Sequence, residues 1–529
     1  MSIDTNLIGY WKLTEDCRDY SGKDNHGVRR KADPSRIFVL PRAERAYHIE
    51  VPHNPSLSLG TGGFSISVWI KTPKKLDDVL GDIVNKYDPA SRTGFNLYLQ
   101  NFAGAPSAHA NYRNLFFGMD DGRIESHWTD CGRPGNNLMV WALTVYKGSL
   151  YAGTFETELG EAGHVYRYGM NGEWIDCGAP DTCNAVTSLA VFEGDLYAAV
   201  SHYRSSGSAL EESPNTTRGG RIYRYGGDKN WIDCGGLPDP EAIGSLLVFQ
   251  GDLYASSMYA PPGVYRYAGG TRWVPCGHPG GRIAAMTVSR GAIYGSGWDQ
   301  GKSGVYRYEG ETSWSDRGTP PHTTQTYSFA VHEGNLHVGT WPSGTVYRYA
   351  GDQHWSGCGR LGDELEVMGM AVYNGKLYAG TLPLAQVYRY DGNLIWTPTG
   401  QLDRTPDVKY RRAWSMAVYQ GKLFCGTLPS GHVHCLEAGK GVSYDDEIQA
   451  GWRHIAAVRD KAVLNLFVDG KLISQSTVFR PDSYDLSNEQ PLRIGFGPHD
   501  YFNGEIEDLR LYDRAITHEE VDTLYRRGR

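Results

Sequence analysis

Through the middle of the chain, short apolar runs with a period of two are separated by glycine-containing turns, and the pattern recurs about every 40 residues. One copy shows the unit. Residues 188–192 alternate small and apolar side chains, Glu193-Gly194-Asp195 turns the chain, and 196–200 returns. After a loop, 221–225 supplies a third run, 226–230 turns again, and 231–235 forms the fourth. Four short strands with tight turns predict one antiparallel blade of a β-propeller.

Six copies carry Val/Ile-Tyr-Arg-Tyr, at 165–168, 222–225, 264–267, 305–308, 346–349 and 387–390. Each is followed by a tryptophan: Trp174, Trp231, Trp273, Trp314, Trp355 and Trp396. A seventh copy, 416–436, stops before its tryptophan. The missing end, Trp128-Thr129-Asp130-Cys131-Gly132, stands just ahead of copy one. A repeat that begins with its own last strand predicts a closed seven-bladed ring, since a solenoid would cap its ends instead. Small residues at Ala142, Ser188, Ser245, Ala285, Ser328, Gly369 and Ser415 mark the innermost strand, where blades crowd around the axis.

Composition agrees with an all-β chain, rich in Gly, Tyr and Trp and poor in long amphipathic patterns. The net charge of −8 and the lack of a Lys/Arg stripe argue against a nucleic-acid partner. No stretch is apolar over the length that a bilayer requires, so membrane insertion is not expected. The first residues show no basic or apolar leader. The chain as written reads as cytoplasmic, or as extracellular if a leader has been removed.

Five of the nine cysteines, Cys131, Cys177, Cys234, Cys276 and Cys358, occupy one repeat position three residues after the tryptophan. Equivalent positions on different blades are held apart, so these read as buried packing thiols rather than disulfides or metal ligands. The repeated arginines Arg167, Arg224, Arg266, Arg307, Arg348 and Arg389 lie in the third strand. Aspartates Asp130, Asp176, Asp233 and Asp316 lie in the fourth. Arg facing Asp within each blade is the expected pairing, and its repetition marks architecture rather than a site.

The segments outside the repeats read as two halves of one domain. The first half has Leu7-Ile8-Gly9-Tyr10-Trp11-Lys12-Leu13, then Asp19-Tyr20-Ser21-Gly22 through Asn25-His26-Gly27. Alternating strands follow at 46–51, 64–71 and 95–100. The second half has Gly451-Trp452-Arg453-His454-Ile455-Ala456, Val468-Asp469-Gly470-Lys471-Leu472, and Gly504-Glu505-Ile506-Glu507-Asp508-Leu509-Arg510-Leu511-Tyr512-Asp513-Arg514-Ala515. An acidic helix is expected near 517–525. These runs resemble the laminin-G-like, concanavalin A-like jelly roll. The resemblance implies a split sandwich, 1–125 and 443–529, with a propeller of unassigned family inserted at 126–442. Insertion is tolerated where the ends of the guest lie close together, as strand-swapped closure provides. The resemblance also implies a structural Ca²⁺, with Asp19 and Asp508 at the matching stretches; carboxylates suit that ion.

Loops joining strands two to three, and blade to blade, share one propeller face, and their length and variety here make it the place for a site. One position after strand two breaks the repeat: Phe155, His202, Met258, Trp298, Trp341, Leu382 and Leu428. Aromatic faces at a channel mouth suit sugar rings, although the same ring could simply plug the channel. Tyr203, Arg204, Tyr259 and Asp299 stand nearby. The inter-blade loops add Arg282, His322, Glu366, Tyr410, Arg411 and Arg412.

Three readings stay open. One is recognition of a glycan or polysaccharide through this face, with a lectin-like jelly roll. The second is cleavage of a glycan. Asp299 and Glu366 would then act as acid and base, or His202 or Tyr203 would abstract a proton beside a uronate carboxylate neutralised by Arg204 or Arg411. The third is a protein-interaction scaffold.

Overall fold

The computed structural model describes residues 3–32, 47–124, 126–158 and 160–528. Two large sheets form a sandwich. The six-stranded sheet runs Leu7–Trp11, Glu505–Tyr512, Phe64–Thr72, Gly451–Asp460, Val463–Val468, Lys471–Gln475. The seven-stranded sheet runs Val28–Lys31, Tyr47–Val51, Leu492–Ile494, Gly81–Asp88, Thr93–Phe102, Asn111–Asp121, Lys440–Tyr444. Both sheets take strands from the two ends of the chain, so neither half can complete a hydrogen-bonded core alone. Trp11, Phe64, Phe95, Phe117, Leu466 and Leu511 fill the space between the sheets. The return to the sandwich begins at Lys440, a few residues ahead of the boundary read from the sequence. The helix His518–Arg527, opened by a Thr517/Glu520 capping box, buries Val521 and Leu524 with Ala456, Val458 and Phe467 of the six-stranded sheet.

Between these halves the chain folds as a propeller. Residues 139–176, 185–236, 243–275, 283–316, 325–360 and 366–401 each form an up-and-down unit of four strands. In the last unit, Arg412–Tyr419, Lys422–Leu428 and Val433–Leu436 are completed by Trp128–Asp130. The closing pair is antiparallel, with Trp128 opposite Leu436 and Asp130 opposite His434. The Cys131 N–H donates to the Val433 carbonyl at 2.8 Å. Val433 therefore meets the Cys131 end of the strand, and Trp128 lies at the Leu436 end.

The repeated tryptophan has a specific task. Each indole N–H crosses to the preceding unit: Trp231 to the Cys177 carbonyl at 2.9 Å, Trp273 to Cys234 at 3.0 Å, Trp314 to Cys276 at 3.0 Å, Trp355 to Arg317 at 2.9 Å and Trp396 to Cys358 at 2.9 Å. Trp128 reaches Thr399 Oγ1 at 3.0 Å, and Trp174 returns to Cys131 at 3.0 Å. The repeat cysteines are buried free thiols at these joints.

Arg224, Arg266, Arg307 and Arg389 pair elsewhere than with the fourth-strand aspartates expected for them, although Arg221, at the start of a third strand, does pair with Asp233. Arg224 pairs with Asp195 at the start of its neighbouring strand, Arg266 with Asp252, Arg307 with Glu309 and Arg389 with Asp391. The fourth-strand aspartates instead accept the amide two residues ahead: Asp130 from Gly132 at 2.8 Å, Asp176 from Gly178 at 2.8 Å, Asp233 from Gly235 at 2.8 Å and Asp316 from Gly318 at 2.7 Å. They hold the turn that leaves each unit.

The sandwich seals one end of the ring. The innermost strand of each unit is a sheet edge whose axis-facing amides and carbonyls need partners. The loop 103–110, between Thr93–Phe102 and Asn111–Asp121, supplies them. Gly104 O accepts from Phe329 N at 2.9 Å, Ala110 O from Val145 N at 2.9 Å and Ser107 O from Ser188 Oγ at 2.8 Å. Ala103 O accepts from Thr287 Oγ1 at 3.2 Å. The His109 amide donates to Leu189 O at 3.0 Å, and its Nδ1 accepts from Val248 N at 3.2 Å. Asn111 closes a pair of bonds with the Val418 backbone. Small side chains let this loop enter the axis, where Ala105, Ala108, His109 and Ala110 are buried.

Turns joining first to second strands rest on the same domain. Gln250 N donates to Leu76 O, Gly291 N to Asp77 O, Gly334 N to His499 O and Gly148 N to Asp445 O. Buried Arg290 pairs with Asp500 at 2.8 Å and Asp78 at 3.8 Å. The strands Gly81–Asp88, Thr93–Phe102 and Asn111–Asp121 are consequently buried at nearly every position, on both faces.

Candidate functional site at the free mouth of the ring

One end of the axis is filled by the loop 103–110, and the opposite mouth is formed by the other ends of the innermost strands. Register shifts recur on the innermost strands and leave Trp141, Thr187, Gly244, Ala284, Tyr327, Met368 and Trp414 out of the ladder. Such bulges re-aim side chains. Trp141 and Trp414 meet at 5.1 Å between ring centroids, Trp141 meets Tyr203 at 4.4 Å, and Tyr327 meets Trp298 at 5.0 Å. These rings close the mouth side of the axis.

Two residues earlier in the repeat, one step nearer the mouth, the units carry Met139, Ala185, Ala242, Arg282, Gln325, Glu366 and Arg412. The polar residues occupy consecutive units and break the ring into an apolar and a polar half. Glu366 and Arg412 are thus the first residues of the strands Glu366–Tyr373 and Arg412–Tyr419, not inter-blade loop residues.

Arg282 is fully engaged: its Nε donates to Asp299 Oδ1 at 2.6 Å, and its amide to Oδ2 at 2.7 Å. Gln325 accepts from the Tyr327 hydroxyl at 2.7 Å. Glu366 and Arg412 are different. Both are buried, yet Glu366 Oε1, Arg412 Nε and Nη1, and the neighbouring Trp414 Nε1 have no hydrogen-bond partner among the described residues. Burial pushes the Glu366 carboxyl up to about 7, against the opposing pull of the Arg412 charge and of the nearby Tyr327 side chain. Above this polar wall stand Trp341 and Tyr410, edge to face at 6.0 Å, with the Arg412 guanidinium 5.7 Å from the Tyr410 ring centroid.

The structure sorts the residues named from sequence. Phe155 and Met258 are buried and form part of the floor, packed with Trp141 and Tyr203. The residue of the second unit equivalent to Phe155 and Trp341 is Ser201, which pairs with Ala185 as Phe155 pairs with Met139; His202 lies one step beyond. His202 and Arg204 pair with Glu241, while buried Tyr203 bonds Ser208 and has its phenol pushed up by burial, which makes it a poor base. Tyr259 lies under Arg204, 4.9 Å from guanidinium carbon to ring centroid. Trp298 donates its indole N–H to Thr326 O at 2.9 Å. Arg411 holds its own loop through Thr405 O at 2.6 Å, and His322 is exposed on an inter-unit loop. Of the two carboxylates named for glycosidic cleavage, Asp299 is paired with Arg282 and Glu366 is buried.

The residues implied for Ca²⁺ do not fit that role. Asp19 accepts from the Tyr10, Ser21 and Asn25 amides and the Ser21 hydroxyl, which uses both oxygens to hold a turn. Asp508 pairs with Arg510. Among the described residues, no group of three or more His, Cys, Asp or Glu is placed to hold a metal.

Sequence reasoning overlooked Gln325, Tyr327, Trp141 and Trp414. Their signal was present in the aligned repeats: Trp141, Tyr327 and Trp414 stand immediately before the small inner-strand position, and Gln325 three residues before it.

Comparison with known proteins matches the sandwich directly: residues 437–522 fit the model of the concanavalin A-like lectin/glucanases superfamily. No curated protein matches the chain. Among solved structures, virginiamycin B lyase from Staphylococcus aureus is similar at 10% identity and a TM-score of 0.47, covering 59% of this chain and 99% of that one. The WD40 β-propeller domain of Doa1 is similar at 11% identity and a TM-score of 0.42, covering 58% and 96%. The binding domain of Paraclostridial Mosquitocidal Protein 1 spans 99% of this chain and 52% of its own, at 10% identity and a TM-score of 0.27. The chain is thus an all-β protein that joins a concanavalin A-like domain to a propeller.

Proposed function

We propose that this chain is a carbohydrate-binding protein in which a seven-bladed propeller, inserted into the concanavalin A-like sandwich, presents its free mouth to a glycan. The cyclic order of tryptophan bonds supports seven blades, because each unit is used once before the series returns to its start. One observation carries the ligand class. Flat aromatic surfaces at Trp341 and Tyr410 stand over buried donors and acceptors that lack partners. Sugars offer both complements, C–H faces for stacking and hydroxyls for hydrogen bonds. Much of the seven-stranded sheet is covered by the propeller, which favours the ring over that sheet as the lectin-like surface.

The test is binding of the full chain to an immobilised polysaccharide panel, with Trp341→Ala at the mouth and Trp452→Ala on the sandwich as control. The expected result is binding that Trp341→Ala weakens at least about tenfold and Trp452→Ala leaves unchanged. Equal binding by a folded Trp341→Ala protein rules out the mouth.

A further inference from the structure

Isolated buried charges are costly, and a guanidinium is kept in such a place only where something completes it. Arg412 is 6% exposed and makes no ion pair with a carboxylate among the described residues. Two of its nitrogens have no acceptor, and the indole N–H of Trp414, two residues along the same strand, has none either. This is a set of donors awaiting an oxyanion or several hydroxyls. The nearby acceptor, Glu366, is 2% exposed and leaves one oxygen without a donor. The pair therefore offers both halves of a hydrogen-bonding site. Tyr410 lies against the guanidinium and Trp341 lies edge to face with Tyr410, so a ring stacked on Trp341 would bring a substituent toward Arg412.

We infer that the mouth selects a carboxylate-bearing sugar, a uronic acid residue, whose carboxylate is bound by Arg412 and Trp414 while a ring hydroxyl donates to Glu366. The inference rests on the carbohydrate reading above and narrows it. A guanidinium suits a planar carboxylate, and charge-assisted bonds of this kind are stronger than neutral ones. A neutral sugar would satisfy Glu366 but leave the buried positive charge unmatched. A sulfate ester carries the same single charge on three tetrahedral oxygens, and a sulfated probe tests it against the planar carboxylate.

Calorimetric titration of the full chain separates these cases. The probes are oligogalacturonate and oligoglucuronate, the same oligosaccharides with their carboxyl groups reduced to alcohols, and a sulfated neutral oligosaccharide. The wild-type protein should bind at least one uronate at least about tenfold more tightly than its reduced form, and more tightly than the sulfated probe. Arg412→Met, checked for an unchanged circular dichroism spectrum, should lose that ratio; Arg412→Lys should retain part of it. The wild-type ratio requires no variant and stands if Arg412→Met fails to fold. Equal binding of uronates and reduced forms overturns the inference while leaving carbohydrate recognition intact. Preference for the sulfated probe overturns the carboxylate assignment. Binding of none of the probes, with the polysaccharide panel also silent, removes both readings. A panel signal without uronate binding removes this inference alone.

Discussion

The indole nitrogen of Trp174 lies 3.0 Å from the carbonyl oxygen of Cys131, and that bond joins the first propeller unit to the strand that closes the last. Trp174 also packs on Tyr168 at 4.9 Å, so its ring and its N–H do separate work. Trp174→Phe keeps an aromatic ring but removes the donor together with part of the indole's bulk. It should lower stability by about 1 kcal/mol in denaturant titration, with an unchanged slope. A variant as stable as wild type would show that the closing bond contributes nothing.

The host loop in the axis makes acid stability a property of both domains. His109 is buried, accepts from Val248 N, and has its imidazole pushed down to about 3 by burial. A depressed histidine pKa stabilises the fold above the ordinary value near 6.5, and the contribution is lost as pH falls from there toward 3. His109→Gln should therefore be less stable than wild type at neutral pH, and the gap should narrow on acidification. A gap that stays constant from pH 7 to pH 4 would contradict the assignment.

Glu366 titrates in the opposite sense. Its carboxyl is raised from 4.5 to about 7, so the buried protonated form stabilises the fold at low pH, and that contribution is lost as pH rises from 4.5 through about 7. Glu366 faces Arg412, Tyr327, Tyr203 and the neighbouring Gln325. Glu366→Gln removes the titration. Its melting temperature should match wild type near pH 4.5 and exceed it above pH 7.5. A difference independent of pH would mean that Glu366 is charged throughout or neutral throughout.

The inner strands approach closely beside the mouth. A Cβ added to Gly369 would sit 2.3 Å from the Trp414 carbonyl oxygen, a backbone atom that cannot move aside alone. Gly369→Ala should cost about 1–3 kcal/mol. It should also weaken ligand binding, because it displaces the strand that carries Arg412 and Trp414. Full stability would show that the two strands separate freely at this level.

Much of the architecture was legible in the sequence because it recurs. The orphan Trp128 segment announces the closing strand, and the Tyr-Trp-Leu and Trp-Arg-His-Ile runs announce a sandwich divided by an insertion. Pairings were less legible. Arg224 is drawn to Asp195 rather than to Asp233, because side-chain direction on a twisted strand is not encoded in spacing. The loop 103–110 gave no signal of its own, since small residues are equally at home in a surface turn. His202 was misplaced by one residue: the position lies seven residues after the turn glycine in every unit, which in the second unit is Ser201. Arg412 was visible but undistinguished from Arg411. Only the packed structure shows that one arginine holds its loop while the other lacks partners.

The most direct measurement is a crystal structure of the full chain with an acidic oligosaccharide. The account predicts density for a sugar ring against Trp341 and Tyr410, with its carboxylate within hydrogen-bonding distance of Arg412. Sugar bound to the sandwich alone, with ordered water completing Arg412, Glu366 and Trp414, would contradict it.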